Sequence, residues 1–373
     1  MLILYYHGSA FTYILFPDLK GNAMQSKPNI DPAPIVHHLR AVYQTQILVA
    51  AVNRLMVLEK FAGGPQSLSN LMLALDLKER PAMVLFPALC AMGILQMDST
   101  GNLDVTQLGH YLMSSSEPNL IGYLGLGADD PSVANMAELL KHDGPIDSQK
   151  GIAYVMDSLQ ASPMDDPALA RYLTMALAGR AKHLAPFVAP HLPKGHGHLL
   201  DVAGGTGFYT YEYLLINPEA TATVFDRPEV LKVANECMEH FCASGRPGAN
   251  SIKSRVRFMP GDMLVDSLPK ADILLAFSLF HDWPTETCIQ LAMRFALALN
   301  PQGELWVHDA FLNDTLDGPL AVTDYSSQLF AITKGRCYSR KEHFDWFISL
   351  GLLPSPKLTP TQMDYGLISA RNP

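Results

Sequence analysis

The chain has 373 residues and a formal charge of −9, from 27 basic and 36 acidic side chains. Charged residues make up 17% and the apolar set 48%, against ~25% charged in an average soluble domain. So much apolar surface excludes a largely disordered chain. The acidic balance argues against nucleic acid as a partner, and no apolar run reaches the ~20 residues of a membrane span.

The first segment, 1–30, holds two short apolar stretches, Leu2–Tyr6 and Tyr13–Phe16, separated by His7 and Gly8 among others. No basic run precedes them, so a cleaved signal peptide is not expected, and translation from Met24 is an alternative start. The five cysteines, Cys90, Cys237, Cys242, Cys288 and Cys337, form no CxxC pair. Reduced thiols and a cytoplasmic location are expected, with neither a disulfide framework nor a metal site.

From Pro34 to Gly63 the apolar residues Leu39, Tyr43, Ile47, Ala51, Leu55 and Leu58 recur at helical spacing. Gly63-Gly64-Pro65 ends that pattern. Ser67–Leu77 and Glu79–Gly93 read as two further helices, the latter with Met83, Phe86, Leu89 and Cys90 on one face. Ile94–Met97 and Leu103–Val105 then flank turn chemistry at Ser99-Thr100-Gly101-Asn102, a hairpin. Three helices and a hairpin make a winged-helix pattern. DNA binding is opposed by charge: the first 150 residues hold nine Lys and Arg against thirteen Asp and Glu, and basic side chains supply most non-specific DNA affinity.

Helical spacing resumes over Val133–Lys141 and Pro167–Phe187. Beyond Leu192-Pro193-Lys194-Gly195 short apolar runs alternate with helices: Leu199–Ala203, Ala222–Phe225, Val256–Pro260, Ile273–Phe277 and Glu304–His308. That alternation predicts an α/β domain with a Rossmann-like, doubly wound parallel sheet, preceded by a mainly helical domain. The division is 31–192 and 193–373.

The strongest local signal is Asp201-Val202-Ala203-Gly204-Gly205-Thr206-Gly207, a buried strand running into a glycine-rich turn. Glycine permits positive φ and close approach of a ligand to the backbone. Asp226, 22 residues past Gly204, ends the next strand, placed for ribose hydroxyls. A dinucleotide site needs G-x-G-x-x-G beneath its pyrophosphate. Here the order is G-G-x-G, and Asp201 would repel a pyrophosphate but could hold an ammonium such as that of S-adenosylmethionine.

With Phe225-Asp226-Arg227-Pro228, Pro260-Gly261-Asp262-Met263 and His281-Asp282-Trp283, the glycine turn forms an ordered series. The series resembles S-adenosylmethionine-dependent O-methyltransferases, the group related to plant caffeate methyltransferases, acetylserotonin methyltransferase and bacterial antibiotic-pathway enzymes. The likeness extends over roughly Asp31 to Arg371. It implies a homodimer joined through residues 31–192, a small-molecule acceptor and the product S-adenosylhomocysteine. Neither a nucleic acid nor a membrane is implied as a partner.

The resemblance also implies residue roles. Gly204, Gly205 and Gly207 would line the methionine end of the cofactor, with Asp201 near its amine and Asp226 at the ribose. Asp262 would accept from the adenine amino group, unless it only caps its turn, and Met263 would pack on the ring. Phe277 stands where many relatives have lysine, so that contact would be stacking or absent. His281 would be the general base, while Asp282 and Trp283 read as a helix-start cap and a core anchor. Asp309 matches a carboxylate that orients the base. The second such carboxylate is missing, because Cys337 takes its place and Tyr338 that of an arginine. Met164, Met175, Phe280, Tyr325 and Phe330 are expected to line an acceptor cavity between Asp309, the helix around Tyr172–Arg180 and a loop at Asp324–Phe330. The reaction implied is methyl transfer to a hydroxyl of a small aromatic or polyketide-like molecule. Loss of the second carboxylate keeps open a related non-methylating reaction, such as hydroxylation, decarboxylation or a pericyclic step.

Overall fold

The structure, a computed structural model, describes residues 30–144 and 162–373. The apolar stretches near the N-terminus, and Met24, lie outside the described residues. Helix α1 (Ala33–Val49) carries Pro34 in its first turn, where a missing N–H costs nothing. The single helix predicted to Gly63 does not form. The ladder widens into a π-helical turn at Ala50–Arg54, Met56 takes φ 53°, and a 3-10 turn follows at Leu58–Phe61. Side chains hold the widened turn in place: Arg54 donates to the Ala128 carbonyl at 2.6 and 2.8 Å, and Asn53 to that of Ile121.

Helix α2 (Leu68–Leu75) is capped by Ser67, whose hydroxyl accepts from the Asn70 N–H. Helix α3 (Glu79–Ala91) leads into an antiparallel hairpin, β1 (Leu95–Met97) and β2 (Leu103–Val105), with Leu95 opposite Val105. Asp98 builds its turn, accepting from the N–H groups of Thr100 and Asn102. Helices α4 (Ile121–Gly125), α5 (Pro131–His142) and α6 (Pro167–Val188) follow. The last two start at Asp130 and Asp166, whose carboxylates accept backbone N–H groups of the first turn.

The remaining chain alternates strand and helix as its pattern predicts: β3 (His198–Val202), α7 (Phe208–Ile216), β4 (Thr221–Asp226), α8 (Pro228–Cys242), β5 (Val256–Pro260) and β6 (Ala271–Phe277). Then come α9 (Thr285–Ala298), β7 (Leu299–Asp309), α10 (Leu320–Ile332), α11 (Arg340–Ser349), β8 (Leu353–Pro354), β9 (Thr359–Pro360) and β10 (Gly366–Arg371). The sheet order is β5-β4-β3-β6-β7-β10-β8, with β9 also on β10. Strands β3 to β7 are parallel, whereas β10 runs antiparallel to β7. The alternation in sequence does not announce that last strand.

Residues alternate between the faces of this sheet. Leu199, Ile273, Leu275 and Phe277 pack toward α6, α7 and α8, while Leu200, Leu274, Ala276 and Val307 pack toward α9 and α11. Helices on both faces complete the expected doubly wound α/β layer arrangement. Segment 324–330, expected as a loop, is the interior of α10. That helix packs against α1 and α3 of the N-terminal region.

Candidate functional site

The parallel strands point their C-terminal ends at one edge, where ligands bind in open α/β sheets. At the end of β3, Gly205 and Gly207 take φ of +57° and +76°. A Cβ on Gly207 would collide with the Tyr211 ring, and one on Gly204 would lie 2.8 Å from the Asp201 carboxylate and from Val224. Beside Gly205 no atom lies within 4 Å of a Cβ, so the turn opens onto free space there. Asp226, at the end of β4, accepts from the Gly205 N–H at 2.9 Å and the Arg227 N–H at 2.7 Å. Asp201 is buried and accepts from the Thr210 hydroxyl at 2.7 Å.

Burial pushes the Asp201 carboxyl up to about 7 and that of Asp226 to about 6. Two carboxyls reluctant to ionise alone suit a ligand that brings an ammonium to one and hydroxyl donors to the other. S-Adenosylmethionine carries both. At the end of β5, Asp262 is already engaged. One oxygen accepts from the Leu264 N–H of its own turn at 2.9 Å, the other from Arg227 at 3.0 Å. Met263 packs partly buried at the edge of the core.

Beyond β6 the chain makes a 3-10 turn, Phe280–Asp282, which carries His281. Its Nδ1 lies 2.5 Å from Asp309 Oδ1 at the end of β7, both groups buried. An ionised carboxylate only accepts, so Nδ1–H donates and Nε2 keeps its lone pair. Burial opposes the charged ring, but the Asp309 and Asp282 carboxylates outweigh it and raise the His281 pKa above the ordinary histidine value. Asp309 is likewise opposed by burial, yet His281 draws its pKa below the usual carboxylate value.

Asp282 is not the helix cap that its position suggests. Pro284 occupies the N-cap position of α9, which has no side-chain cap, and Asp282 Oδ1 sits 3.7 Å from His281 Nε2. Cys337 is fully buried with Leu184, Ala310 and Tyr325, and its backbone N–H donates to Ser326. Burial drives its thiol far above the ordinary value, so it stays neutral and supplies none of the charge of the carboxylate it replaces. The Tyr338 hydroxyl donates to the Trp283 carbonyl at 2.7 Å, and a Cβ on Gly335 would strike the His281 carbonyl. The 333–338 loop therefore lies directly beneath the histidine turn.

Of the expected acceptor-lining residues, the structure brings Tyr325 to His281: its hydroxyl is 3.5 Å from Nε2. Met175 is half-buried on α6, packed against the core of the adjacent sheet face. Met164 lies in the Pro163–Asp165 turn on the Asp226 side of the cleft, because neighbouring Asp165 pairs with Arg227 at 3.1 Å. Phe280 and Phe330 are not at the site. Phe280 is buried among Phe295, His343, Trp346 and Phe347, and Phe330 fills the core of the N-terminal region. Phe277 meets Tyr209 and His308 edge to face, at 5.0 and 5.4 Å between ring centres.

Sequence reasoning missed Tyr365 and Arg40 here and named Arg180 only as the end of a helix bounding the cavity. Arg180 bonds to Tyr325 and Tyr365, and Arg40 of α1 lies 3.8 Å over the Tyr325 ring. The available signal was a basic side chain between Gly179 and Ala181 in an alanine- and leucine-rich helix.

This arrangement, a glycine cradle with two acidic strand ends and a histidine–carboxylate pair at the sheet edge, belongs to a methyl-transferring α/β fold. Residues 191–351 match the family profile of an O-methyltransferase domain. An O-methyltransferase family 2 protein of Planctomyces limnophilus, solved with apigenin, is 33% identical at a TM-score of 0.82, over 94% of this chain and 99% of that one. A 3-hydroxy-5-methyl-1-naphthoate 3-O-methyltransferase of Streptomyces sahachiroi is 24% identical over 83% of this chain and 86% of its own length. Chicken acetylserotonin O-methyltransferase is 28% identical over 138 residues, so the match spans only 37% of that relative. The chain belongs to the S-adenosylmethionine-dependent O-methyltransferase family, and S-adenosylmethionine is its cofactor.

Proposed function

We propose that this chain transfers a methyl group from S-adenosylmethionine to a hydroxyl of a small aromatic or polyketide-like molecule, with His281 as the general base. The observation that carries this is the buried pair of His281 Nδ1 and Asp309 Oδ1 at 2.5 Å. It commits Nδ1 to the carboxylate and leaves Nε2, 3.5 Å from the Tyr325 hydroxyl, as the nitrogen that can accept a proton, as a base oriented by a carboxylate requires. Relatives named for apigenin binding and for hydroxynaphthoate methylation support an aromatic acceptor. The intact pair favours methyl transfer over a non-methylating reaction.

Gly204, Gly205 and Gly207 would cradle the methionine end of the cofactor. Asp201 would face its ammonium, Asp226 the ribose hydroxyls, and Asp262 and Met263 the adenine. When bound, the cofactor supplies a methyl group already activated on a sulfonium. The protein's tasks are then to align the acceptor and to remove its proton. His281 Nε2 takes the hydroxyl proton as the oxygen takes the methyl group. Asp309 holds the resulting imidazolium. Labelled cofactor and a panel of phenols test the reading through release of S-adenosylhomocysteine. The wild type turns over at least one of them, and H281A lowers kcat by ~10²–10⁴-fold. Wild-type kcat in the mutant would remove His281 from the role.

The homodimer reading rests on α1. Its residues Ile35, Leu39 and Val42 are 72%, 51% and 45% exposed along one helical stripe, a surface suited to an obligate apolar interface. No described helix is long and apolar enough to cross a membrane, and a cytoplasmic location accords with the reduced cysteines.

A further inference from the structure

Arg180 stands on the face of α6 that meets the acceptor side of the cleft. Its Nη1 donates to the Tyr365 hydroxyl at 2.8 Å and the Tyr325 hydroxyl at 3.2 Å. Its Nη2 and Nε make no hydrogen bond with the described residues, and no described carboxylate pairs with it. Tyr325 in turn reaches His281 Nε2 at 3.5 Å, so one hydroxyl separates this guanidinium from the proton-accepting nitrogen. Arg40 adds a second cation over the Tyr325 ring. It is 3% exposed, its Nη1 lacks any hydrogen-bond acceptor, and its nearest carboxylate, Asp364, is 4.0 Å away.

Of the nearby carboxylates, Asp309 pairs with His281 and Asp364 with His37; Asp282 feels the Arg180 charge and Asp324 that of Arg40, but neither contacts its guanidinium. Neutral phenols do not discharge a guanidinium, and a half-buried charge with no carboxylate in contact is poorly compensated. Two nitrogens of a planar fork are left for a ligand, which is the geometry of a carboxylate.

We propose that Arg180 anchors a carboxylate on the acceptor, beside the hydroxyl that is methylated, so that hydroxyarene acids are the preferred substrates. The inference rests on the transferase reading above for which hydroxyl reacts. The anchor itself is tested by binding alone. With cofactor present, calorimetry compares 3-hydroxybenzoate with its methyl ester, which carries the same hydroxyl. The wild type binds the acid ~10–100-fold more tightly, the range of a charge-assisted hydrogen bond. R180Q brings the two ligands within about threefold, and R180K, which keeps the charge without the fork, falls between. Equal affinities in the wild type overturn the proposal, as does an acid preference that survives in R180Q. Circular dichroism checks that R180Q is folded; should it not be, the wild type and R180K decide. Release of S-adenosylhomocysteine is scored separately. Acid-selective, Arg180-dependent binding without turnover of any hydroxyarene keeps the anchor and removes the transferase reading.

Discussion

His281 illustrates how one hydrogen bond sets a direction of proton flow. Nδ1 is committed to Asp309, so only Nε2 can accept. The raised pKa has a definite sign: below it the ring is charged and cannot act as a base. We predict that kcat/KM climbs with pH and levels off above the raised His281 pKa. D309N removes the largest opposing charge to burial, so its midpoint moves to lower pH while kcat falls. A midpoint that D309N leaves in place would assign the titration to another group. Asp201 makes a second residue-scale prediction. Burial pushes its carboxyl up to about 7, and only the ionised form can hold an ammonium. Cofactor affinity measured by calorimetry should therefore weaken as pH falls from 8 to 6, and D201N should bind weakly at both. The same shift has a stability sign. The native state holds a proton that the unfolded state releases near ~4, so between ~4 and ~7 the ligand-free chain loses stability as pH rises.

At the scale of elements, much of the C-terminal half was legible. Short apolar runs such as Leu199–Val202 and Leu274–Phe277 are strands whose two faces are both covered, so both sets of side chains are buried. Glycines and acidic strand ends marked the cofactor cradle, and His281 and Asp309 were found through motif order. Other features are set by long-range packing that no local pattern carries. Residues 324–330 hold Asp324, Ser326 and Ser327 among apolar neighbours, and that polarity reads as a loop. Ser326 and Ser327 hydrogen bond with the Cys337 N–H and the Thr323 carbonyl, so their polarity is absorbed within α10 and its neighbouring loop. Phe280 and Phe330 are aromatic residues close in sequence to site residues, but each turns away into a core. Phe330 is wholly buried beneath the Arg80 guanidinium, 4.6 Å from its ring centre. F330A should cost ~3–5 kcal/mol of stability by denaturant unfolding, the usual range for a buried phenylalanine. Because α10 carries Tyr325 as well, the variant should also lower acceptor affinity more than cofactor affinity.

At the scale of the whole molecule, the sparse charge has an outlet on α1. If the Ile35, Leu39 and Val42 stripe is an interface between copies, L39K should yield a smaller species by light scattering at micromolar concentration. A wild type that is already monomeric and folded at that concentration would refute the dimer. The N-terminal region also depends on the far end of the chain. Its core includes Phe330, and Arg80 ties α3 to the carbonyls of Thr333 and Gly335. This has a consequence for the order of synthesis. Helices α1 and α3 leave the ribosome well before residues 320–332, and at ~5–20 residues/s the gap is on the order of 10–50 s. Throughout that time one side of the nascent N-terminal core lacks its α10 cover. A chain stalled before Leu320 would present that apolar seam to chaperones and proteases, which would thereby sense incomplete synthesis.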